Sequence, residues 1–338
     1  MSVTKPQTPL TKASSATLRP PYDPLLMPAV EASKSTLPEI LDVHSLRKIA
    51  GDFSLETTLK NCPNFVHSEH MIPGFRAGDA PVLVSIFKPK NLPSADLPAV
   101  YCIHGGGQVA GTRFSALDVI INYFEGIEVV IVAVEYRLAP EHRAPAALHD
   151  SYAGLVWTAE HAADLGIDPS KILILGGSGG APITAGCAIL CRNNKKPYPL
   201  AQMLLTPMLD DRDCTASSKQ FARDGPWCGT TNRMAWGHVL GSARGGPDVS
   251  ELVAPARATD LEGVAPAFID AAECEVFRDE AVAYASQLWK CGVPAELHVW
   301  PGAYHGFDML EQAAPVATAA RDAKLNWIKR IFGACKAK

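Results

Sequence analysis

Short apolar runs separated by longer helical patterns constrain the fold of this chain more than any other feature. Several runs are apolar on consecutive residues, which is typical of strands buried on both faces of a parallel sheet. The runs span residues 82–87, 99–103, 129–134, 171–175, 201–205, 266–271 and 295–300, and the helical patterns span 145–165, 179–193, 278–291 and 316–332. This alternation predicts an α/β fold with right-handed crossovers.

Two segments fall outside the alternation. The first 40 residues carry seven prolines, so we expect an irregular arm with a short helix around residues 37–50 and further helical lid material over 42–60. Residues 210–253 show no clear strand and are interpreted as an insertion above the sheet. We therefore predict a cap built from 1–75 and 211–250, and a catalytic domain built from 76–210 and 251–338.

Composition excludes several classes of protein. The net charge of −4 offers no basic field for nucleic acid. The first residues lack the apolar core of a signal peptide, and the longest strongly apolar run is six residues, Val129 to Val134, against roughly 20 for a membrane helix. We expect a soluble, cytoplasmic protein without stable membrane insertion. The nine cysteines form no CxxC pair, so we expect reduced thiols and no metal site.

A candidate nucleophile follows the run 171–175. Gly176-Gly177-Ser178-Gly179-Gly180 matches G-x-S-x-G and leads into a helical pattern. Such a tight turn holds a serine oxygen in the open above a helix N-terminus, and its strain requires small neighbours. A glycine-rich turn could instead bind phosphate, but no lysine follows the glycines as a P-loop requires. Ser178 is therefore the candidate nucleophile.

A glycine run, His104-Gly105-Gly106-Gly107, follows the strand pattern 99–103. Glycines let backbone N–H groups approach a ligand closely, and each donor to a developing oxyanion is worth about 3–4 kcal/mol in barrier height. An ordinary loop is the alternative. The order of this run and the serine turn, each directly after a buried strand, favours an oxyanion hole. Its candidate donors are the backbone N–H groups of Gly105, Gly106, Gly107 and Gly179.

The base and the acid are expected later in the chain, in the order serine, acid, histidine. His305 lies in a loop after the last strand pattern, where it could reach the serine. The acids in and after the run 266–271 are Asp270, Glu273, Glu275, Asp279 and Glu280. Glu275 is favoured because it lies in the loop, with Asp279 the main rival and Glu273 next. Asp270 lies inside the strand pattern.

With these residues in place, the chain resembles the hormone-sensitive lipase family of α/β-hydrolases, also called type IV esterases, over roughly residues 97–332. The shared motifs are HGGG (104–107), EYRLAPEHRAPAALHD (135–150), the serine turn (176–180), LTPMLD (205–210), ECEVFRDE (273–280) and YHGF (304–307). The resemblance implies an α/β-hydrolase fold, with a mostly parallel twisted sheet of about eight strands, flanking helices and a helical lid. It also implies that Glu275 is the catalytic acid, at a position where Asp is usual.

The serine turn departs from the family pattern G-D-S-A-G-G. Gly177 stands for the Asp, Gly179 for the Ala, and Ala181 for a Gly. A backbone donor role of Gly179 needs no side chain, whereas the missing Asp removes a local brace.

The function expected from these residues is that of a serine hydrolase that cleaves short to medium acyl esters or lactones through Ser178, His305 and Glu275. It needs no cofactor. Four apolar side chains of the insertion are candidates for substrate binding, or equally for the core of the lid: Phe221, Trp227, Met234 and Trp236. A non-hydrolytic cyclase, acyltransferase or dehydratase is the alternative, kept open by the altered serine turn. A ligand receptor is a third, although the similar gibberellin receptor typically loses the base. The family often forms dimers, which leaves a homodimer open.

Overall fold

The computed structural model describes residues 18–36, 41–51, 53–91 and 96–334. Within these ranges the strands are β1 (Phe65–Ile72), β2 (Val82–Pro89), β3 (Leu97–Ile103), β4 (Val130–Glu135), β5 (Ile167–Gly177), β6 (Ala201–Leu205), β7 (Ala267–Ala272) and β8 (Ala295–Trp300). They form one sheet in the order β1-β2-β4-β3-β5-β6-β7-β8. β2 is antiparallel to β1 and β4, and all the other neighbours are parallel.

Helices cover both faces of this sheet. They are α1 (Met27–Thr36), α2 (Val43–Ala50), α3 (Leu55–Asn61), α4 (Leu117–Asn122), α5 (Ala146–Glu160), α6 (Ala162–Leu165), α7 (Ala181–Asn194), α8 (Ala216–Gln220), α9 (Gly229–Leu240), α10 (Arg278–Lys290), α11 (Phe307–Leu310) and α12 (Pro315–Ala334). Short 3₁₀ turns span Ser178–Gly180, Gly241–Ala243 and Pro255–Arg257. In the described part of the chain, no helix combines the length and the apolar character needed to cross a membrane.

Alternate residues of the central strands enter different cores on the two faces of the sheet. On β4, Val130, Val132 and Val134 pack with α5 and α7, whereas Ile131 and Ala133 pack with α4 and α12. Because both faces are covered, consecutive residues must be apolar, which is the pattern that the sequence carries. The α/β-hydrolase architecture expected from the sequence is confirmed.

The N-terminal arm contains a helix that the proline-rich sequence did not predict. α1 forms because Leu26 and Val30 are fully buried against the core that also holds Phe221 and Trp236. The helix expected around residues 37–50 begins at Val43, where Asp42 accepts a hydrogen bond from the N–H of Ser45 at 2.7 Å. Residues 37–40 lie outside the described ranges.

One strand was also missed. β1 is an edge strand with the sequence FVHSEHMI, and most of its side chains are exposed or half-buried. Its polar residues hide the strand pattern, and pairing with β2 along its whole length supplies the stabilisation. The insertion between β6 and β7 is helical, as α8 and α9, and contains no strand among its described residues.

Candidate active site

Ser178 follows the last residue of β5, at the start of the turn into α7. Its φ of +52° lies in the left-handed region, which costs a side chain with a Cβ atom of the order of 1–3 kcal/mol. The turn is held from both sides by β5 and by the packed helix α7, whose first residues are all buried. This backbone conformation places the hydroxyl of Ser178 above the N-terminus of α7.

Three side chains from distant parts of the chain form one line of hydrogen bonds. His305 Nε2 lies 3.0 Å from Ser178 Oγ, and His305 Nδ1 lies 2.6 Å from Glu275 Oε2. Glu275 is 1% exposed, and its second oxygen accepts the N–H of Ala272 at 2.7 Å. The imidazole is held by aromatic neighbours, with the ring of Phe277 at 5.2 Å edge to face. His305 can thus take the proton of the Ser178 hydroxyl while Glu275 orients the ring and stabilises the imidazolium.

The rival acids are engaged elsewhere. Glu273 accepts the N–H of Gly302 at 2.9 Å, and Asp279 accepts the N–H of Ser217 at 2.7 Å. Glu280 is buried and bonded to the N–H of Leu209, and burial raises the pKa of its carboxyl well above the usual range.

The glycine run of the candidate oxyanion hole lies directly beside Ser178. Gly105 and Gly106 line the same cavity as the serine hydroxyl, and the φ of +98° at Gly106 turns the backbone in a way that only glycine adopts freely. Among the residues that the structure describes, no acceptor contacts the N–H groups of Gly106 and Gly107. These amides are free to bind a negatively charged oxygen.

Gly179 and Gly177 differ in what surrounds them. A Cβ atom on Gly179 would overlap the backbone nitrogen of Gly107, so the serine turn and the glycine loop approach each other as closely as glycine permits. A Cβ atom on Gly177 would meet only Leu205, at 3.9 Å. The position of the missing Asp is therefore open space, and neighbouring backbone holds the turn without that side chain.

His104 supports the glycine loop from behind. Its ring stacks on Tyr136 with centroids 4.1 Å apart, and its Nδ1 lies 2.8 Å from the carbonyl oxygen of Gly105. Burial lowers the pKa of His104 to about 4, so the ring is neutral near pH 7. Its Nε2 has no hydrogen-bond partner among the described residues. His104 thus acts as a packed brace and brings no positive charge to the site.

A cavity of about 260 Å³ opens at Ser178. Of the four apolar side chains expected to bind substrate, Trp227 lines it, with its ring 6.2 Å from that of His305. The expectation is corrected for Phe221 and Trp236, which are fully buried in the core, and for Met234, which does not border the cavity. Phe221 and Trp236 share this core with Leu26 and Val30, beside and within α1. Part of the apolar wall comes instead from the N-terminal segment, as Leu46, Ile49, Ala50 and Phe53.

Four polar side chains of this cavity were not expected from the sequence: Tyr123, Asp270, Asp308 and Lys324. Asp270 was one of the candidate acids in the sequence and was not favoured because it lies within a strand. The signal available in the sequence was Lys324, a lysine on the buried face of the C-terminal helix. In the apolar periodicity of that helix it is only an interruption. Within the described ranges, no group of three or more potential ligands could hold a metal ion.

Several known proteins that are similar to this chain in sequence and fold are esterases. A family model described as "alpha/beta hydrolase fold" matches residues 100–309. The chain is 36% identical to carboxylesterase NlhH of Mycobacterium tuberculosis over 71% of its own length and 75% of that protein. It is 30% identical to ethyl acetate hydrolase of Pseudomonas putida over 65% of its own length and 69% of that protein.

Solved structures agree along nearly the whole chain. A bacterial heroin esterase superposes with a TM-score of 0.82 at 32% identity, covering 92% of this chain and 98% of that one. Esterase LipW from Mycobacterium marinum superposes with a TM-score of 0.77 at 29% identity, covering 94% and 99%. The chain belongs to the hormone-sensitive lipase family of α/β-hydrolases, the type IV esterases.

Proposed function

We propose that the protein hydrolyses carboxylic esters on Ser178 through an acyl-enzyme intermediate. The observation that carries this proposal is the continuous line of hydrogen bonds from Glu275 through His305 to Ser178, at 2.6 and 3.0 Å. The esterase relatives support the same chemistry.

In the first step, His305 Nε2 takes the proton of Ser178 Oγ as the oxygen attacks the ester carbonyl carbon. Glu275 accepts the Nδ1 hydrogen bond, which keeps the other nitrogen free as a base and stabilises the imidazolium. The imidazolium then gives its proton to the leaving alcohol. A water molecule attacks the acyl group with His305 again as the base, and the acid leaves as the serine is reprotonated.

The negative charge on the carbonyl oxygen is assigned to backbone donors. The unengaged N–H groups of Gly106 and Gly107 are two of them, and the N–H of Gly179 is the third. Gly105 lines the cavity beside them and gives the loop its close approach to the serine.

The substrate class is a short to medium acyl ester or a small lactone. Its apolar part fits the wall formed by Trp227 and the residues around α2. We assign α1 and α2 with 211–250 to the cap on this basis. The catalytic domain begins before residue 76, the boundary expected from the sequence, because β1 (Phe65–Ile72) is a strand of its sheet.

A direct test replaces the nucleophile. Ser178→Ala should lower kcat for p-nitrophenyl butyrate by at least about 10³-fold, because the acyl-enzyme can no longer form. Ser170→Ala, at an exposed serine whose hydroxyl donates to Asp168, is the matched control and should keep full activity. A fluorophosphonate probe should label the peptide containing Ser178 in the wild type. Full turnover in Ser178→Ala, or labelling of a different serine, would refute the assignment.

The two alternatives give different results in the same assays. A cyclase, acyltransferase or dehydratase would convert a native substrate without net uptake of water and show feeble activity on simple esters. A receptor would bind ligand without turnover and without labelling of Ser178.

A further inference from the structure

Four buried polar side chains form a cluster in the wall of the catalytic cavity, and the mechanism above uses none of them. Lys324 Nζ of α12 lies 2.8 Å from a carboxylate oxygen of Asp270 on β7 and 2.8 Å from one of Asp308 on α11. The hydroxyl of Tyr123 donates to Asp308 at 2.9 Å. All four residues are at most 5% exposed, yet they border the cavity that contains Ser178.

The cluster holds two carboxyl groups and one ammonium group. Burial disfavours a charged lysine, but the attraction of Asp270 and Asp308 outweighs it and raises the pKa of Lys324. Burial also opposes ionisation of Asp308, and the charge of Lys324 with the hydrogen bonds outweighs it, so the pKa of that carboxyl is lowered. The ion pair of Lys324 and Asp308 therefore lies against a second carboxyl group, that of Asp270. Two carboxyl groups stand against one ammonium group, so the formal charge of the cluster is negative.

The hydrogen bonds of the two carboxylates are unevenly distributed. Asp270 uses both oxygens, since Oδ1 accepts the N–H of Thr206 at 3.3 Å and Oδ2 the indole N–H of Trp300 at 3.3 Å. In Asp308, both side-chain hydrogen bonds go to Oδ2. The backbone N–H of Asp308 adds a further hydrogen bond to this carboxylate, and the side chain lines the cavity.

A structural role in holding α12 explains one of the two carboxylates that contact Lys324, but not the second. One ion pair between Lys324 and one carboxylate would hold the helix. A second buried carboxylate adds desolvation cost and leaves surplus negative charge, here in the wall of an otherwise largely apolar cavity. Unmet charge of this kind is relieved by a donor that enters the cavity.

We propose that Asp308, with Asp270 and Lys324, forms a specificity subsite for a hydrogen-bond-donating group, a hydroxyl or an ammonium, carried by the ester. This inference rests on the proposed function, because it assigns the substrate class of the same cavity. A terminal hydroxyl or ammonium donates to Asp308. A terminal carboxylate is repelled, and a methyl end leaves the surplus negative charge of the cluster without a donor from the ester.

The first experiment compares esters that differ only at the far end of the chain. One series varies the acyl side: straight-chain p-nitrophenyl esters of increasing length are compared with esters of the same length that end in a hydroxyl, an ammonium or a carboxylate. A second series varies the alcohol side: alkyl acetates are compared with the corresponding acetates of diols, amino alcohols and hydroxy acids. At the length that reaches the cluster, kcat/KM should be roughly tenfold or more higher for the donor-bearing ester than for the methyl-ended one. No preference at any length in either series, or a preference for carboxylate, would overturn the proposal.

Variants then assign the preference to the cluster. Asp308→Asn and Asp270→Asn each keep the side-chain shape and remove one negative charge, so the ratio of kcat/KM between hydroxyl-ended and methyl-ended esters should fall toward one. Asp322→Asn, at an exposed aspartate on α12, the helix that carries Lys324, is the matched control and should keep the wild-type ratio. Wild-type ratios in both cluster variants would show that the cluster only anchors α12.

A binding measurement separates this inference from the proposed function. In the Ser178→Ala protein, calorimetry should find roughly tenfold tighter binding of the hydroxyl-ended ester than of its methyl-ended counterpart. Equal affinities would sink the subsite even if the wild type is an efficient esterase. Tighter binding together with a wild type that hydrolyses no ester would overturn the proposed function and leave the subsite standing.

Discussion

At the scale of single residues, Glu275 shows how a buried acid is fixed before it acts. One carboxylate oxygen accepts the N–H of Ala272 and the other faces His305, both within 2.7 Å. The backbone bond reaches only three residues back along the chain, so the loop and the carboxylate orient each other. A glutamate thereby fills a position where the family usually has aspartate.

Glu275→Gln tests this role. The amide keeps the size of the side chain but can donate to Nδ1, which places the imidazole proton on the nitrogen that should act as the base. We expect kcat for p-nitrophenyl butyrate to fall on the order of 10³–10⁴-fold, measured by steady-state kinetics.

Asp279→Asn is the matched control for this variant, because Asp279 bonds to the N–H of Ser217 and to Arg278 instead of to His305. It should stay within a few-fold of wild type. A larger loss in Asp279→Asn than in Glu275→Gln would reverse the assignment of the acid.

At the scale of elements, α2 forms a wall of the cavity and is tied to the catalytic domain by one arginine. Arg47 donates to the carbonyl oxygens of Val109 at 2.9 Å and Ala139 at 3.1 Å. It also pairs with Glu141, but both side chains of that pair are more than a third exposed, so solvent screens it. The two hydrogen bonds to backbone are the stronger part of the link.

Arg47→Met should loosen α2 while retaining much of the packing of the side chain. Since Leu46, Ile49 and Phe53 line the cavity, we expect KM for longer acyl esters to rise about tenfold, with a smaller effect on acetate. Lys48→Met, at the exposed neighbouring position, should leave both values unchanged. An equal rise for all chain lengths would mean that α2 does not shape the acyl preference.

At the scale of the whole molecule, His104 links global stability to pH. Its pKa in the folded protein is about 4 because it is buried, against 6.5 without burial. Between these values the unfolded chain binds more protons than the folded one, so acid favours unfolding. Stability from this group is complete above about pH 6.5 and is lost as the pH falls toward 4.

Urea unfolding at pH 7 and pH 5 measures the effect. His104 should lower the free energy of unfolding by about 2 kcal/mol from pH 7 to pH 5. In His104→Phe, which keeps a ring against Tyr136, this part of the loss should disappear. The exposed His142→Gln is the control and should behave like the wild type. Identical losses in wild type and His104→Phe would rule out His104 as the source.

Local patterns carried much of the fold and part of the site. Ser178, His305 and the glycine loop follow strand patterns directly, and parallel strands bring their carboxyl ends to one edge of the sheet. By contrast, β1 and α1 lack a local signal, because an edge strand tolerates polar residues and α1 is stabilised by burial against the insertion. Among the acids after β7, the loop position and the family motif favoured Glu275, but several rivals lie within the same short segment, so the sequence could not give the distance of each from His305.

What the sequence by itself determined is the strand and helix alternation, the order of the motifs and hence the family, because these depend on neighbours in the chain. Tertiary structure alone gave the 2.6 Å distance between His305 and the favoured Glu275. It also decided that Trp227 and not Phe221 or Trp236 borders the cavity, and that Lys324 meets Asp270 and Asp308 there. Those outcomes depend on how distant segments pack. Local periodicity indicates which face of an element is buried, but not which residues of other elements it contacts.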